Sequence, residues 1–468
     1  MRTFRHGLIL LAIGSLAFTG CDDDDGGNND VSLVGMDGAA GGSAPSPSMP
    51  GDSADTPTDT PSTPSDDMAQ DDGQDEAQEP AAPGDIIDVA VAAGNFTQLA
   101  DALTAAGLVD ALKGQGPFTV FAPTDEAFEA FEQDNPGVLE SLSIEELTGI
   151  LTYHVIPGAT VMSGDLQNGQ LAETLAGPVV AVDLSDGVRI NGSTVTSADI
   201  EASNGVIHVI DRIIVPPGDI IEVATAAGSF NELAGALTAA DLVDTLKGEG
   251  PFTVFAPTDA AFAALSAVPE GDALTDVLLY HVLEGIAGPL DLASGKAALT
   301  VSGAPVLFDL EEGARINDAI ITTTNVVASN GVIHVIDAVI VPPTKDIVEA
   351  AIDAGVFTSL AGALTSQGLV ETLQGPGPFT VFAPTDDAFA ALPAVPEGDA
   401  LTDVLLYHVV DGIIGSGDLV SGDIEMLSGA MVTVDLDNGV KVNDSNVTGA
   451  NILASNGVIH IVDAVLVP

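Results

Sequence analysis

The chain has 468 residues, 46% of them apolar, and sets 69 acidic residues against 10 basic ones for a formal net charge of -59. That length holds two to four ordinary domains with a real core in each, which excludes a chain disordered throughout. The charge repels phosphate backbones and anionic headgroups, so nucleic acid and electrostatic docking on a membrane are excluded as partners.

From the amino terminus, Arg2 and Arg5 precede an apolar run from Gly7 to Phe18 that is too short to span a bilayer comfortably, and Thr19-Gly20-Cys21 follows. This pattern reads as an export signal over residues 1–20. The cysteine after a small residue resembles the lipobox of bacterial lipoproteins, with Phe18 where leucine is commoner; the resemblance implies that Cys21 carries lipid. Cys21 is the single cysteine of the chain, so no disulfide forms within it and packing must hold it together. Asp22 is the residue that retains lipoproteins at the inner membrane in enteric bacteria, a rule that varies between lineages, so inner and outer membrane both stay open.

Residues 21–84 are then dominated by Asp, Gly, Ser, Thr, Pro and Gln, as in SAPSPSMPGDSADTPTDTPSTPSDD. Their few apolar side chains cannot offset the entropy of ordering, which predicts a disordered acidic tether on the order of 45 Å from end to end, longer with charge repulsion.

Beyond Gly84 the sequence repeats. GPFTVFAPTD occurs at Gly116, Gly250 and Gly377, YHV at Tyr153, Tyr280 and Tyr407, and ASNGVIH at Ala202, Ala328 and Ala454. The repeats predict three domains at residues 85–216, 217–342 and 343–468, each large enough to bury its own core, as beads joined by the stiff segments VPPGDII and VPPTKDI. Within a repeat, Phe96, Leu99, Leu103 and Ala106 stand at helical spacing, FTVFAP is a short strand, and Thr124, Thr258 and Thr385 are placed to cap the helix that follows. VVAVDLSDGVRI alternates around Asp186-Gly187, a hairpin signal, and GVIHVIDRIIVP reads as a long closing strand. Helices and hairpins in one unit make an α+β domain.

The order FTVFAPTD, then a helix ending in Tyr-His, then NGVIHVID and a closing Val-Pro resembles the fasciclin domain over residues 85–468. The resemblance implies a wedge of β-strands packed with several α-helices, in secreted or membrane-anchored proteins that mediate cell adhesion or bind matrix. It also implies a candidate adhesion motif at Tyr153-His154, Tyr280-His281 and Tyr407-His408. The residues themselves point inward: Leu147, Leu151 and His154 fall on one apolar helical stripe, as do Leu274, Leu278 and His281, which predicts core histidines with hydrogen-bond partners.

The second histidine of each unit, His208, His334 or His460, shares a strand face with valine and isoleucine and reads as half-buried structure. Asp211, Asp337 and Asp463 face the other way, where a salt link or turn contact is the default. Arg189, Arg315 and Lys441 occupy matching places after the hairpin turn, suited to offsetting local repulsion or to touching an anionic ligand. Two histidines per unit fall short of a zinc site, and no phosphate loop, nucleophile elbow or HExxH appears, so neither metal, cofactor nor catalytic residue is expected. The expected function is an exported, lipid-anchored protein on the outer membrane or outside the cell. Its partners are matrix, polysaccharide or the surface proteins of other cells, reached through three fasciclin-like domains. An envelope-tethered, non-catalytic receptor for a glycan or small apolar ligand is the alternative.

Overall fold

The computed structural model describes residues 83–468. The export segment, Cys21 and the tether up to residue 82 lie outside the described residues. The described chain forms three seven-stranded sheets, each with its own helices, and we refer to these units as domains 1, 2 and 3.

Domain 1 gives the pattern. Helices α1 (Ile86–Ala93), α2 (Thr97–Ala105) and α3 (Val109–Leu112) lead into strand β1 (Phe118–Pro123). Then come α4 (Asp125–Asp134), α5 (Val138–Ser141) and α6 (Ile144–Tyr153), and the strands β2 (Val155–Pro157), β3 (Leu171–Glu173), β4 (Val179–Asp183), β5 (Arg189–Ile190), β6 (Ser193–Ala202) and β7 (Gly205–Ile210). The sheet order is β2-β1-β7-β6-β5-β4-β3, with β1 and β7 parallel and every other pair antiparallel. The two repeated sequence blocks are thus neighbours inside the sheet, second and third from one edge, with Phe121 beside His208, Phe255 beside His334 and Phe382 beside His460.

Local chemistry sets the helix ends. Thr124, Thr258 and Thr385 are N-caps whose hydroxyls accept from the amides of Ala127, Ala261 and Ala388 at 3.3, 3.2 and 3.2 Å. Phe96 is itself an N-cap position, so α2 begins one residue later than the apolar spacing suggests.

Two sequence expectations are corrected. The closing strand stops at Ile210, Ile336 and Val462, and the residues after it are irregular. The reason is the aspartate that follows: Asp211, Asp337 and Asp463 accept from the amides of Thr194, Ile320 and Asn446, each at 2.7 Å, and so turn the chain off the ladder. They make turn contacts. Consecutive domains are also not separate beads, because they touch directly through hydrogen bonds from Asn325 to Gly169 and from Gly417 to Gly295.

Each sheet divides its domain into two cores. On the helical side of domain 1 Leu99, Leu103, Phe128, Leu151 and Ile207 pack together, and on the hairpin side Phe121, Tyr153, Val180, Ile190 and Ile210 do so. Domains 2 and 3 repeat both clusters.

Candidate functional site

The Tyr-His pair ends α6 and its counterparts, where the helical core meets the hairpin core. All six side chains are buried, none being more than 4% exposed. Tyr153 donates its hydroxyl proton to the Val179 carbonyl at 2.8 Å and accepts from Asn191 Nδ2 at 2.7 Å. Tyr280 does the same with Pro305 and Asn317 at 2.7 and 2.9 Å, and Tyr407 with Met431 and Asn443 at 2.6 and 3.0 Å. The asparagines sit at left-handed φ of +48, +50 and +52°, a conformation asparagine tolerates better than most residues. Burial holds the Tyr153 and Tyr280 phenols far above their ordinary range, the latter at about 12. These are neutral hydrogen-bonding groups across the whole physiological range.

The adjoining histidines tie the helix end to the closing segment. His154 Nδ1 lies 2.8 Å from the Ile150 carbonyl, and its Nε2 accepts from the Ile214 amide at 3.1 Å. His281 bridges Val277 and Ile340, and His408 bridges Val404 and Leu466, with the same atoms. These partners assign the neutral tautomer with its proton on Nδ1. Burial, the largest influence, pushes all three rings from 6.5 down to about 4, against the carbonyl bond that works the other way. Proton donor and acceptor are both taken up inside the domain.

The second histidine is fully buried, 1% exposed or less in each domain, and not half-buried as the strand pattern suggests. The stacked neighbour explains the difference: Phe121, Phe255 and Phe382 lie over the rings with centroids 5.8, 5.3 and 5.4 Å away. Here Nε2 donates to a loop carbonyl, that of Val161, Ala287 or Ile414, at 2.8, 2.7 and 2.8 Å. Nδ1 accepts the amide of Asp199, Asn325 or Asn451 at 3.3, 3.3 and 3.4 Å. Those three residues have φ of +60, +58 and +63°. Each second histidine therefore pins a turn to a left-handed residue in the middle of a strand. Burial also lowers the affinity of His334 and His460 for a proton.

The two histidines of a domain hold separate backbone groups and do not share a ligand. Among the described residues no group of three or more His, Cys, Asp or Glu side chains is placed to hold a metal ion. Arg189 pairs with Asp186 at 3.0 Å and Arg315 donates to the Asp318 carbonyl at 3.3 Å, so both cations serve their own hairpins.

Sequence reasoning misses three recurring positions, two held by asparagine throughout and one by aspartate or asparagine. Asn191, Asn317 and Asn443 hold the tyrosine hydroxyls. Asn204, Asn330 and Asn456 accept the first helical amide of the domain at 2.9, 3.0 and 2.9 Å and donate to two carbonyls, that of the last residue of a short helix (Leu112, Leu246 or Leu373) and that of the glycine two places on. The third set is the Asp199, Asn325 and Asn451 position. Their recurrence at matching places in the three repeats is the signal that marks them.

A fasciclin-domain family model matches residues 94–216, 228–342 and 355–468. Human periostin is similar, 29% identical over 379 residues that cover 77% of this chain and 44% of that protein. The pig transforming growth factor-beta-induced protein ig-h3 is 31% identical over 387 residues, 80% of this chain and 56% of its own length. Protein sll1483 of Synechocystis sp. is 51% identical over 136 residues, 28% of this chain and 73% of that protein. The solved structure of a FAS1 domain pair from the insect cell adhesion molecule fasciclin I aligns with 53% of this chain and 98% of its own, at 18% identity and a TM-score of 0.26. The chain spans about half the length of the first two relatives. With the family model matched three times over more than half of its length, and the two signature blocks paired as neighbouring parallel strands in each sheet, this chain belongs to the fasciclin-domain family.

Proposed function

We propose that the chain is a cell-surface adhesion protein, exported, lipid-anchored through Cys21 and spaced from the envelope by its acidic tether, with fasciclin domains at 85–216, 217–342 and 343–468 that bind matrix, polysaccharide or the surface proteins of other cells. The observation that carries this reading is the threefold fasciclin domain itself. Because the Tyr-His pairs are engaged in internal bonds, binding falls to the outer surfaces of the domains, and repetition raises weak binding through avidity. The Tyr-His pair acts in this reading by holding the two cores in register and not by touching the partner. Among the described residues no helix is long and apolar enough to cross a membrane.

The test compares cells displaying the full chain with cells displaying a chain shortened by its last domain. Attachment to immobilised extracellular polymer should weaken by about tenfold or more on shortening, and Cys21→Ala should release the protein into the medium. Equal attachment by both chains sinks the avidity reading, and retention of the Cys21→Ala protein on cells sinks the lipid anchor.

One observation favours the receptor alternative: an open cleft of about 660 Å³ in domain 1, lined by Lys113, Gln115, Thr160, Met162, Glu201 and Asn204 among others. Its mixed polar lining suits a glycan better than an apolar ligand. A glycan that occupies it should raise the unfolding temperature of the full chain and protect Lys113 from acylation.

A further inference from the structure

The joints between consecutive domains are built from one pair of segments. The giving segment precedes β3 or its counterpart: Asn168-Gly169-Gln170 in domain 1 and Ser294-Gly295-Lys296 in domain 2. The receiving segment is the turn pinned by the second histidine: Gly288 to Asp291 in domain 2 and Gly415 to Asp418 in domain 3. Gly169 and Gly295 have left-handed φ of +80 and +79°, which makes a bulge and turns their carbonyls outward. The Gly169 carbonyl accepts from Asn325 Nδ2 at 2.9 Å, and the Gly295 carbonyl accepts from the Gly417 amide at 2.9 Å. Across the second joint the Ala297 amide also donates to Asp418 Oδ2 at 2.9 Å.

The receiving turn must be bare for this approach. A Cβ on Gly415 would run into the Gly295 carbonyl oxygen and one on Gly417 into that of Ser294, while one on Gly288 would press on Leu171 Cδ1 at 3.0 Å. Which group donates follows from the two residues inside the turn, Pro289-Leu290 in domain 2 and Ser416-Gly417 in domain 3. In domain 3 the Ser416 amide and hydroxyl occupy Asn451, at 2.8 and 2.7 Å. In domain 2 that place is Pro289, which has no amide proton, so the Asn325 side chain is released and reaches domain 1. Its Oδ1 stays buried without a hydrogen-bond partner.

The outer ends carry neither half. The receiving turn of domain 1 reads Met162-Ser163-Gly164-Asp165, with methionine where the joints have Gly288 and Gly415. Its left-handed residue is Asp199, whose carboxylate accepts from the Ser163 amide at 2.7 Å and from the Ser163 hydroxyl and has no N–H to give. In domain 3 the giving segment is one residue shorter, Ser421 to Gly429 against Ser294 to Gly303. The strand runs straight from Gly422 to Glu425 and the outward bulge is missing. The bulge thus occurs in domains 1 and 2, and the bare turn in domains 2 and 3.

We propose that bulge and bare turn are a pairing code that joins the domains in the order 1-2-3 as one coupled unit and closes that unit at both ends. A head-to-tail contact of this kind extends into filaments wherever its two faces stay complementary. Met162 and the missing bulge remove that complementarity, and the partner that a bare turn accepts is the glycine bulge of another fasciclin domain.

The test uses the full chain and a matched pair of variants. Gly417→Ala should open the second joint, read as about tenfold faster hydrogen exchange at the Ala297 amide with the core amides of domains 2 and 3 unchanged. Gly164→Ala is its counterpart in domain 1, where a Cβ meets nothing within 4 Å, and should change neither. Unchanged Ala297 exchange in Gly417→Ala, with both variants folded, overturns the coupling. Closure is tested by sedimentation: wild type and Met162→Gly should stay monomeric, and Met162→Gly with one lysine inserted after Gly422 should associate as concentration rises. Head-to-tail association of wild type, or a monomeric repaired chain, overturns the closed ends.

Discussion

Each domain contains two buried histidines with similar bonds and different consequences. The first, at His154, His281 and His408, contacts the same backbone positions in all three domains and belongs wholly to the interior. The second, at His208, His334 and His460, is held as uniformly, but what it holds in place varies: the left-handed residue beside it is Asp199, Asn325 or Asn451, and the turn opposite carries methionine or glycine. What is common to the repeats makes the fold, and what differs at the second site decides which domains touch.

The sharpest way to break this comparison is His281→Ala. It leaves the Val277 carbonyl and the Ile340 amide without partners and opens a cavity, so domain 2 should lose about 3–4 kcal/mol in urea unfolding of the full chain. Exchange at Asn325 should stay as it is in the native ensemble. His334→Ala should cost domain 2 about 3 kcal/mol and, unlike the first, speed exchange at the Asn325 amide, because that bond ends on the removed ring.

Acid should reach the first site in every domain at once. Rings held near 4 against an ordinary 6.5 contribute stability that is complete above about 6.5 and lost as pH falls towards 4. The slope is about 1.4 kcal/mol per pH unit for each domain and sums to about 3 kcal/mol. Carboxylates with lowered affinity for protons, Asp199 through its Ser163 bonds and Asp463 through Asn446, lose their contribution at lower pH still. Relief of acidic self-repulsion acts in the opposite direction, so urea midpoints at about 1 M salt, where screening reaches about 3 Å, isolate the histidines. A midpoint that does not move between pH 7 and 4 contradicts the buried neutral rings.

Smaller effects complete the series. Tyr280→Phe removes the bonds to Pro305 and Asn317 and should lower domain 2 stability by about 1–2 kcal/mol without altering the joints. Arg189→Ala breaks an exposed pair with Asp186 and should change stability by less than about 0.5 kcal/mol, within the scatter of a melting curve.

Much of this fold is legible in the order of residues alone. The repeats, the capping threonines and the hairpin turns are local, because a cap or a turn is decided by a few neighbouring residues, and the apolar stripe places His154 and His281 inward. Periodicity overextends the closing strand, because Asp211 and its counterparts act on residues 17 positions away, a partner that an apolar pattern does not reveal.

By itself, the sequence determined that there are three α+β units of one family, that each buries a core of its own and that the chain is strongly acidic. Only the tertiary structure decided which groups the Tyr-His pairs bond to, that the second histidines pin the turns at Val161, Ala287 and Ile414, and that Gly169 meets Asn325 and Gly295 meets Gly417. Such contacts join residues more than 100 positions apart, and whether a glycine is needed for space or merely tolerated depends on which backbone lies against it.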